Sequence, residues 1–418
     1  MKPSRRRFLG YAVATGAAAA VPWSARCAEA NRPTLAELDE AAAAPVLDVT
    51  SLTSPVKIKS VELLHNGRTF LVRVRSSEGD EGLTIPNSSR LIETYPIFLR
   101  RVAPLLIGKD ARQWETLLWE LYRYQSNYKW QGLAFWVCVA AAEQAVLDLL
   151  GKLSGRSIGE LLGGVKRRQI AVYRASGNRG NRPDEEIEYL QRLLAETGAS
   201  AVKFRLGGRM SKNADSLPGR SAALIPLVRK ELGDEITLYA DSNSSYDAPE
   251  AIRIGRMMEE HDYGFFEEPC RFDHLEETKQ VADALSMPVA GGEQEFSERR
   301  FRWMIYHRAV DVVQPDLHYY GGFIRAMRVA RMAAVAGMPC TVHMSGSGLG
   351  YLDVAHFVSC CPDPGPHQEF KGNSDLPISC DTSSLKCENG IVQVPSGPGF
   401  GVEIDREFVR KTEKVETL

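Results

Sequence analysis

Asp241, Glu267 and Glu293 stand at two equal steps of 26 residues (241 to 267 to 293), and each closes a short apolar stretch. A step of that length matches one strand followed by one helix, so the three carboxylates are predicted to converge from neighbouring strands of a parallel sheet. Three carboxylate oxygens with open positions beside them suit a hard divalent cation in an oxygen octahedron. Magnesium (Mg2+) fits this donor set, whereas zinc would want histidine or cysteine. A lone strand-end carboxylate more often caps a helix or pairs with a surface cation, but three in register do not reduce to that. Glu268, next to Glu267, is predicted to alternate to the opposite side of its strand, outside the ligand set.

Other ionisable residues fall at the same place in their own segments. Lys203 and Arg205 lie in 201–206, Asp316 ends 309–316, His343 ends 339–343, and Glu369 lies in 367–370. With 170–175, 236–241, 263–267 and 288–293, these make eight short apolar segments, with helical spacing between them as in 248–260 and 323–336. The alternation predicts a closed parallel (β/α) barrel. A doubly wound open sheet is the competing arrangement, but no GxGxxG follows the first strand. Barrel active sites lie at the C-terminal ends of the strands, so these side chains are predicted to ring one mouth.

The barrel is assigned to 168–375 and is preceded by an α+β capping domain at 56–165. Segments 56–61 and 69–75 alternate as strands, 78–82 reads as a turn, and apolar residues recur at helical spacing over 90–121 and 135–162, the second run stopped by Gly163 and Gly164. Residues 48–55 read as a linker, and 376–418 are expected to return to the capping domain. Loops 84–87 and 126–132 are predicted to close over the mouth; Tyr128, Lys129 and Trp130 in the second receive no role.

The composition frames a small-molecule role. The 418 residues are 44% hydrophobic and 25% charged with a net charge of −2, ample for a large core and without the basic excess that phosphate neutralisation needs. Nucleic acid is therefore not an expected partner, and a homo-oligomer is compatible with the chain. At the N-terminus, Ser4-Arg5-Arg6-Arg7-Phe8-Leu9, an Ala-rich stretch and Ala28-Glu29-Ala30 read as a twin-arginine signal peptide over 1–30, which predicts a periplasmic protein without a stable membrane anchor. A lipid anchor at Cys27 is the weaker alternative, because Arg26 beside it fits such a site poorly. The other seven cysteines form no CxxC pair and indicate no disulfide framework; a Cys380–Cys387 pairing is not favoured.

The chain resembles the enolase superfamily, mandelate racemase type, over roughly 56–410. The resemblance is carried by Asp148-Leu149-Leu150-Gly151-Lys152, Glu160-Leu161-Leu162-Gly163-Gly164, Val202-Lys203-Phe204-Arg205, Phe266-Glu267-Glu268-Pro269 and Gly291-Gly292-Glu293. It continues through Gln314-Pro315-Asp316, Gly321-Gly322, His343 and Val394-Pro395-Ser396-Gly397-Pro398-Gly399. It implies a TIM-like barrel of modified (β/α)7β type, magnesium on Asp241, Glu267 and Glu293, a catalytic pair of His343 and Asp316, and Glu369 as a hydrogen-bonding acid near the developing enolate. It also implies that Asn243 faces substrate.

The implied reaction removes the proton next to a carboxylate, which places two negative charges on one small fragment; a metal and hydrogen-bond donors must absorb them. His343 can act as the base at neutral pH, with Asp316 fixing its tautomer. Relatives that work on two faces carry Lys-x-Lys where this chain has Lys203-Phe204-Arg205. Arginine does not deprotonate in proteins, so Arg205 is expected to clamp a carboxylate and Lys203 is a candidate second base; for both, the alternative is a salt bridge to a neighbouring strand-end carboxylate. With Arg205, Asn243 and His318 as polar groups around the metal, the expected substrate is a sugar acid, dehydrated to a 2-keto-3-deoxy acid. Racemisation or epimerisation is the alternative, and a non-catalytic metal-dependent acid-sugar binder is the second alternative.

Overall fold

The structure, a computed structural model, describes residues 32–346, 348–372 and 376–416; the signal expected at 1–30 lies outside the described residues. Two bodies of secondary structure follow one another. In the capping lobe, β1 (Ile58–Asn66), β2 (Thr69–Ser76) and β3 (Glu81–Thr84) form an antiparallel meander, with Leu63 opposite Val72 and Val74 opposite Gly82. The 22-residue helix Leu133–Ser154 lies across β2 and β3 with 17 of its residues buried, so its apolar length serves a core. Gly82 permits this approach, since a Cβ there would run into Ala145 O and Leu149.

The two long helical runs expected in this lobe are each broken. Over 90–121 the chain forms helix Ser88–Ile97, a π-helical turn Phe98–Val102, the short helix Ala103–Leu106, and then helix Trp114–Arg123. Pro96 and Pro104 remove ladder donors there, and Gly108 turns the chain at φ +79°. The second run stops at Gly155, in the left-handed region at φ +69°, before the short helix Ile158–Leu161. The expected linker is tied down: Asp48 N donates to Leu161 O at 2.7 Å, and Arg156 reaches Asp48 Oδ2 at 3.0 Å. Ahead of it, helix Leu35–Ala43, capped by Thr34 and Glu37, packs on a barrel helix, Phe323–Val335.

The barrel strands run parallel in chain order: β4 (Gln169–Ala175), β5 (Ala201–Arg205), β6 (Thr237–Asp241), β7 (Phe265–Glu267), β8 (Val289–Gly291) and β9 (Val312–Val313). Single bridges at Val313–Cys340, Asp316–His343 and Cys340–Pro364 carry the circle through residues 339–343, and β10 (Gln368–Phe370) pairs parallel with β4 to close it. Seven helices lie between the eight strand positions: Pro183–Thr197, Arg220–Leu232, Ala248–Glu260, Leu275–Ala284, Glu298–His307, Phe323–Val335 and Gly350–Cys360. Among the described residues no helix follows β10 before the chain leaves the barrel, so the fold is the (β/α)7β barrel expected. The seventh strand has bridges only, and the sixth pairs regularly over two residues instead of 309–316.

Past β10, β11 (Ile378–Ser379), β12 (Cys387–Glu388), β13 (Ile391–Gln393), β14 (Glu403–Ile404) and β15 (Glu413–Lys414) follow. β13 runs antiparallel to β4, and β15 adds to β1, making the capping sheet order β15-β1-β2-β3.

The period of two along each strand builds the site. One face (Val202, Phe204, Leu238, Ala240, Phe266, Val289 and Val313) joins the main core beneath the helices. The other face forms a separate floor inside the barrel: Tyr173, Ala175, Ala201, Tyr239, Phe265, Ala290 and Val312, with Tyr239 stacked on Phe265 at 4.0 Å. Two residues further toward the mouth, the same alternation delivers Lys203, Asp241, Glu267 and Gln314. The charged layer rests on an apolar one.

Candidate active site

One oxygen each from Asp241, Glu267 and Glu293 lies within 4.8 Å of the others, and all three residues are buried. β8 ends at Gly291, and Gly292 at φ +119° turns the chain so that Glu293 still reaches the group. Glu293 Oε2 is buried and accepts no hydrogen bond. Three buried carboxylates aimed at one point repel one another unless a cation neutralises them, and an all-oxygen donor set fits magnesium.

Each carboxylate is braced. Lys203 Nζ donates to Glu267 Oε1 and Oε2 at 2.7 and 2.8 Å and sits 3.1 Å from Glu369 Oε1, with no solvent exposure. Gln314 Nε2 donates to Glu267 Oε2 at 2.8 Å. Asp241 accepts from Asn243 N at 2.7 Å and Asn243 Nδ2 at 3.1 Å, and it forms a close ion pair with Arg205. Burial disfavours the Lys203 ammonium, but Glu267 and Glu369 outweigh it and hold its pKa above the usual lysine value. Burial likewise opposes ionisation of Glu369 and Glu293. Lys203 leads the charges that hold Glu369 well below the carboxylate range, and His343 leads those that lower Glu293.

His343 stands at the rim of this group. Its Nδ1 is 2.6 Å from Asp316 Oδ2, while Asp316 Oδ1 accepts from the backbone N–H groups of His318 and Tyr319 at 2.7 and 2.8 Å. A carboxylate accepts only, so Asp316 keeps a proton on Nδ1 and leaves Nε2 as the ring nitrogen that exchanges one. Nε2 lies 3.2 Å from Glu293 Oε2 and 3.7 Å from Glu369 Oε2. The capping lobe reaches the same rim: Arg90 Nε donates to Tyr319 OH at 3.2 Å, and Leu349 N donates to Ile85 O at 3.0 Å.

Several side chains are placed otherwise than the sequence predicts. Both ring nitrogens of the buried His318 are engaged, Nε2 by Asp353 Oδ2 at 3.0 Å and Nδ1 by Gln144 Nε2 at 3.4 Å, so it offers nothing to substrate; the turn after Asp316 redirects it. The Asn243 amide is spent on Asp241, on Glu268 Oε2 at 3.1 Å, and on Arg179 and Arg209, so it braces a ligand in place of facing substrate. Arg205 and Lys203 take the second of the roles open to them, each a salt bridge to a strand-end carboxylate, Arg205 with Asp241 and Lys203 with Glu267. Glu268, at φ +41°, leaves strand alternation and shares Asn243 with Asp241 instead of pointing to the far side. Burial, then the Glu293 charge, pushes its carboxyl well above the usual range. Loop 126–132 packs back on its own lobe, Asn127 donating to Leu121 O and Arg101 O, and Tyr128 and Trp130 stay exposed.

The sequence pattern of the mandelate racemase / muconate lactonizing enzyme N-terminal domain matches residues 41–163, and that of the enolase C-terminal domain-like family matches 185–408. The chain belongs to the enolase superfamily. An arabinonate dehydratase from Saccharolobus solfataricus is 28% identical over 303 residues, covering 72% of this chain and 78% of its own. A D-galactonate dehydratase from Xanthomonas euvesicatoria is 28% identical over 359 residues, 83% and 91% of the two chains. A candidate racemase from Roseobacter denitrificans superposes with a TM-score of 0.80 at 34% identity, covering 86% of this chain and 99% of its own. A family member from Paracoccus denitrificans solved with magnesium gives 0.77 at 26% identity, covering 87% and 100%. Magnesium is therefore the ion assigned to the three carboxylates.

Four residues of this site receive no role from the sequence. Gln314 follows Val312 by two and Lys371 follows Glu369 by two, so strand alternation carried one step further finds both. Arg179 and Arg209 sit on rim loops and carry no such signal.

Proposed function

We propose that the enzyme dehydrates a sugar acid, removing the α-proton and expelling the β-hydroxyl to give a 2-keto-3-deoxy acid. The observation that carries this is the inequality of the two candidate bases: His343 presents Nε2 at the mouth, whereas Lys203 is sealed between Glu267 and Glu369. Elimination needs one base, and racemisation needs two. Bound magnesium supplies Lewis-acid stabilisation of the charge that builds on the substrate carboxylate. His343 takes the α-proton while Asp316 holds its ring and stabilises the imidazolium. Lys203 and Gln314 keep Glu267 oriented, and Arg90 with Tyr319 shields the rim. The dehydratase relatives support the reading, and an oriented His–Asp pair argues against a non-catalytic binder.

Incubating D-galactonate and arabinonate with enzyme and magnesium in deuterium oxide tests it, with NMR following substrate and product. A 2-keto-3-deoxy acid is expected. Epimerised substrate deuterated at the α-carbon, with no keto acid, would establish the second reading, racemisation or epimerisation, which the 34% identity to the Roseobacter structure favours. The twin-arginine pattern around Arg5 and Arg6 supports a periplasmic location for this activity.

A further inference from the structure

We propose that Lys371 is a catalytic residue, the acid that protonates the departing β-hydroxyl; this rests on the dehydration reading above. Lys371 leaves β10 two residues after Glu369 and so rises on the same side. Its Nζ lies 3.4 Å from His343 Nε2 and 3.5 Å from Glu369 Oε2, and it donates to Met344 O. Lys203 has no exposed surface, but the Lys371 side chain is 27% exposed at the mouth. The ammonium is therefore available to a molecule entering from solvent.

The position follows from the tautomer of His343. Asp316 occupies Nδ1, so the substrate Cα–H must meet Nε2, and the group beside Nε2 is Lys371. An ammonium there stands next to the α-carbon and within reach of the oxygen on the adjoining carbon. When Nε2 takes the α-proton, the C–H electron pair enters the enediolate. Collapse of the enediolate restores the carboxylate, forms the Cα–Cβ double bond and breaks the Cβ–O bond. Lys371 gives that oxygen a proton, and it leaves as water. An imidazolium and a neutral amine remain 3.4 Å apart, and one proton passing between them restores both; the enol product then tautomerises to the keto acid. No external oxidant or acid is needed, and the base need not also reach the leaving group.

Lys371→Met and Lys371→Arg are compared with wild type on D-galactonate and on its 3-deoxy-3-fluoro analogue, with magnesium in deuterium oxide. Loss of water needs a proton on the leaving group, and loss of fluoride does not. With Lys371→Met, keto acid from galactonate is expected to fall by about 10²–10⁴-fold, the range for a lost general acid. Fluoride release should stay near the wild-type rate, and recovered galactonate should carry deuterium at Cα. Lys371→Arg should follow Met, because a guanidinium does not surrender its proton. Equal losses of water and fluoride elimination, or near-normal dehydration by Lys371→Met, overturn the role of Lys371 while leaving dehydration by wild type intact. Wild-type enzyme that exchanges the α-hydrogen but expels neither water nor fluoride overturns the dehydration reading and this role together.

Discussion

Lys203 grips both carboxylate oxygens of Glu267, at 2.7 and 2.8 Å, in a place that water does not reach. The lysine that would be a second base thus serves as internal counter-ion to the acidic cluster. Lys203→Met removes the cation held between Glu267 and Glu369 and leaves Lys371 as the cation beside Glu369; breaking a buried pair in this way costs about 3–5 kcal/mol. Magnesium binds only the folded form and should return part of that loss. Thermal unfolding with and without magnesium should show a larger metal-induced rise in Tm for the variant than for wild type; equal rises would exclude the counter-ion role.

Glu293→Gln removes one ligand charge from a site with three. The loss of metal stabilisation is worth several kcal/mol, so kcat/KM should fall on the order of 10³-fold or more, as it should when wild type is treated with a chelator. Calorimetric titration with magnesium provides the second reading, and normal affinity in the variant would remove Glu293 from the ligand set.

Asp316→Asn should abolish the base without disturbing the metal. Two backbone N–H groups claim the Oδ1 position, so the new amide would turn its NH2 toward His343 Nδ1. The imidazole proton then moves to Nε2 and the lone pair is lost. A fall in kcat of about 10²–10⁴-fold is expected, with magnesium affinity near wild type. Undiminished turnover would show that the tautomer does not matter.

Glu143, on helix Leu133–Ser154, accepts from Trp114 Nε1 at 2.6 Å and from Ile324 N at 3.1 Å, and burial pushes its carboxyl up to about 7 from 4.5. Between those values the folded protein holds a proton that the unfolded chain has released. This contribution to stability is whole below about 4.5 and is lost as pH rises through about 7. The full window corresponds to about 3 kcal/mol. Denaturant unfolding of wild type across it should show falling stability, and Glu143→Gln, which cannot ionise, should show a flatter profile. Parallel profiles would sink the assignment.

Export rests on the sequence alone. Arg5→Lys with Arg6→Lys should retain the protein in the cytoplasm, and unchanged fractionation would count against a twin-arginine signal.

The metal ligands were legible because barrel register turns a constant step in sequence into one layer in space. The same alternation fails wherever backbone leaves the strand. Glu268 at φ +41° swings back to share Asn243, and His318 lies in a turn whose direction depends on Asp353 and Gln144, each distant in sequence. Lys371 lies one residue past the end of β10 at Phe370, where the apolar segment that marks the strand has already stopped. Helical periodicity marked the run 90–121 correctly as apolar on one face, but Pro96, Pro104 and Gly108 divide it, and periodicity does not register a missing donor.

Strand β15 pairs with β1, Leu64 opposite Lys414 and His65 opposite Glu413, and Val415 N donates to Leu63 O. The order of synthesis is therefore not the order of assembly. While the ribosome is still translating the barrel, the capping sheet has an open edge along β1, and β4 waits for β10 about two hundred residues later. In a nascent chain the β4 edge is covered once β10 is made, but the β1 edge stays unpaired until residues 413 and 414 follow, so trimming there is a lesion felt on a strand about 350 residues earlier.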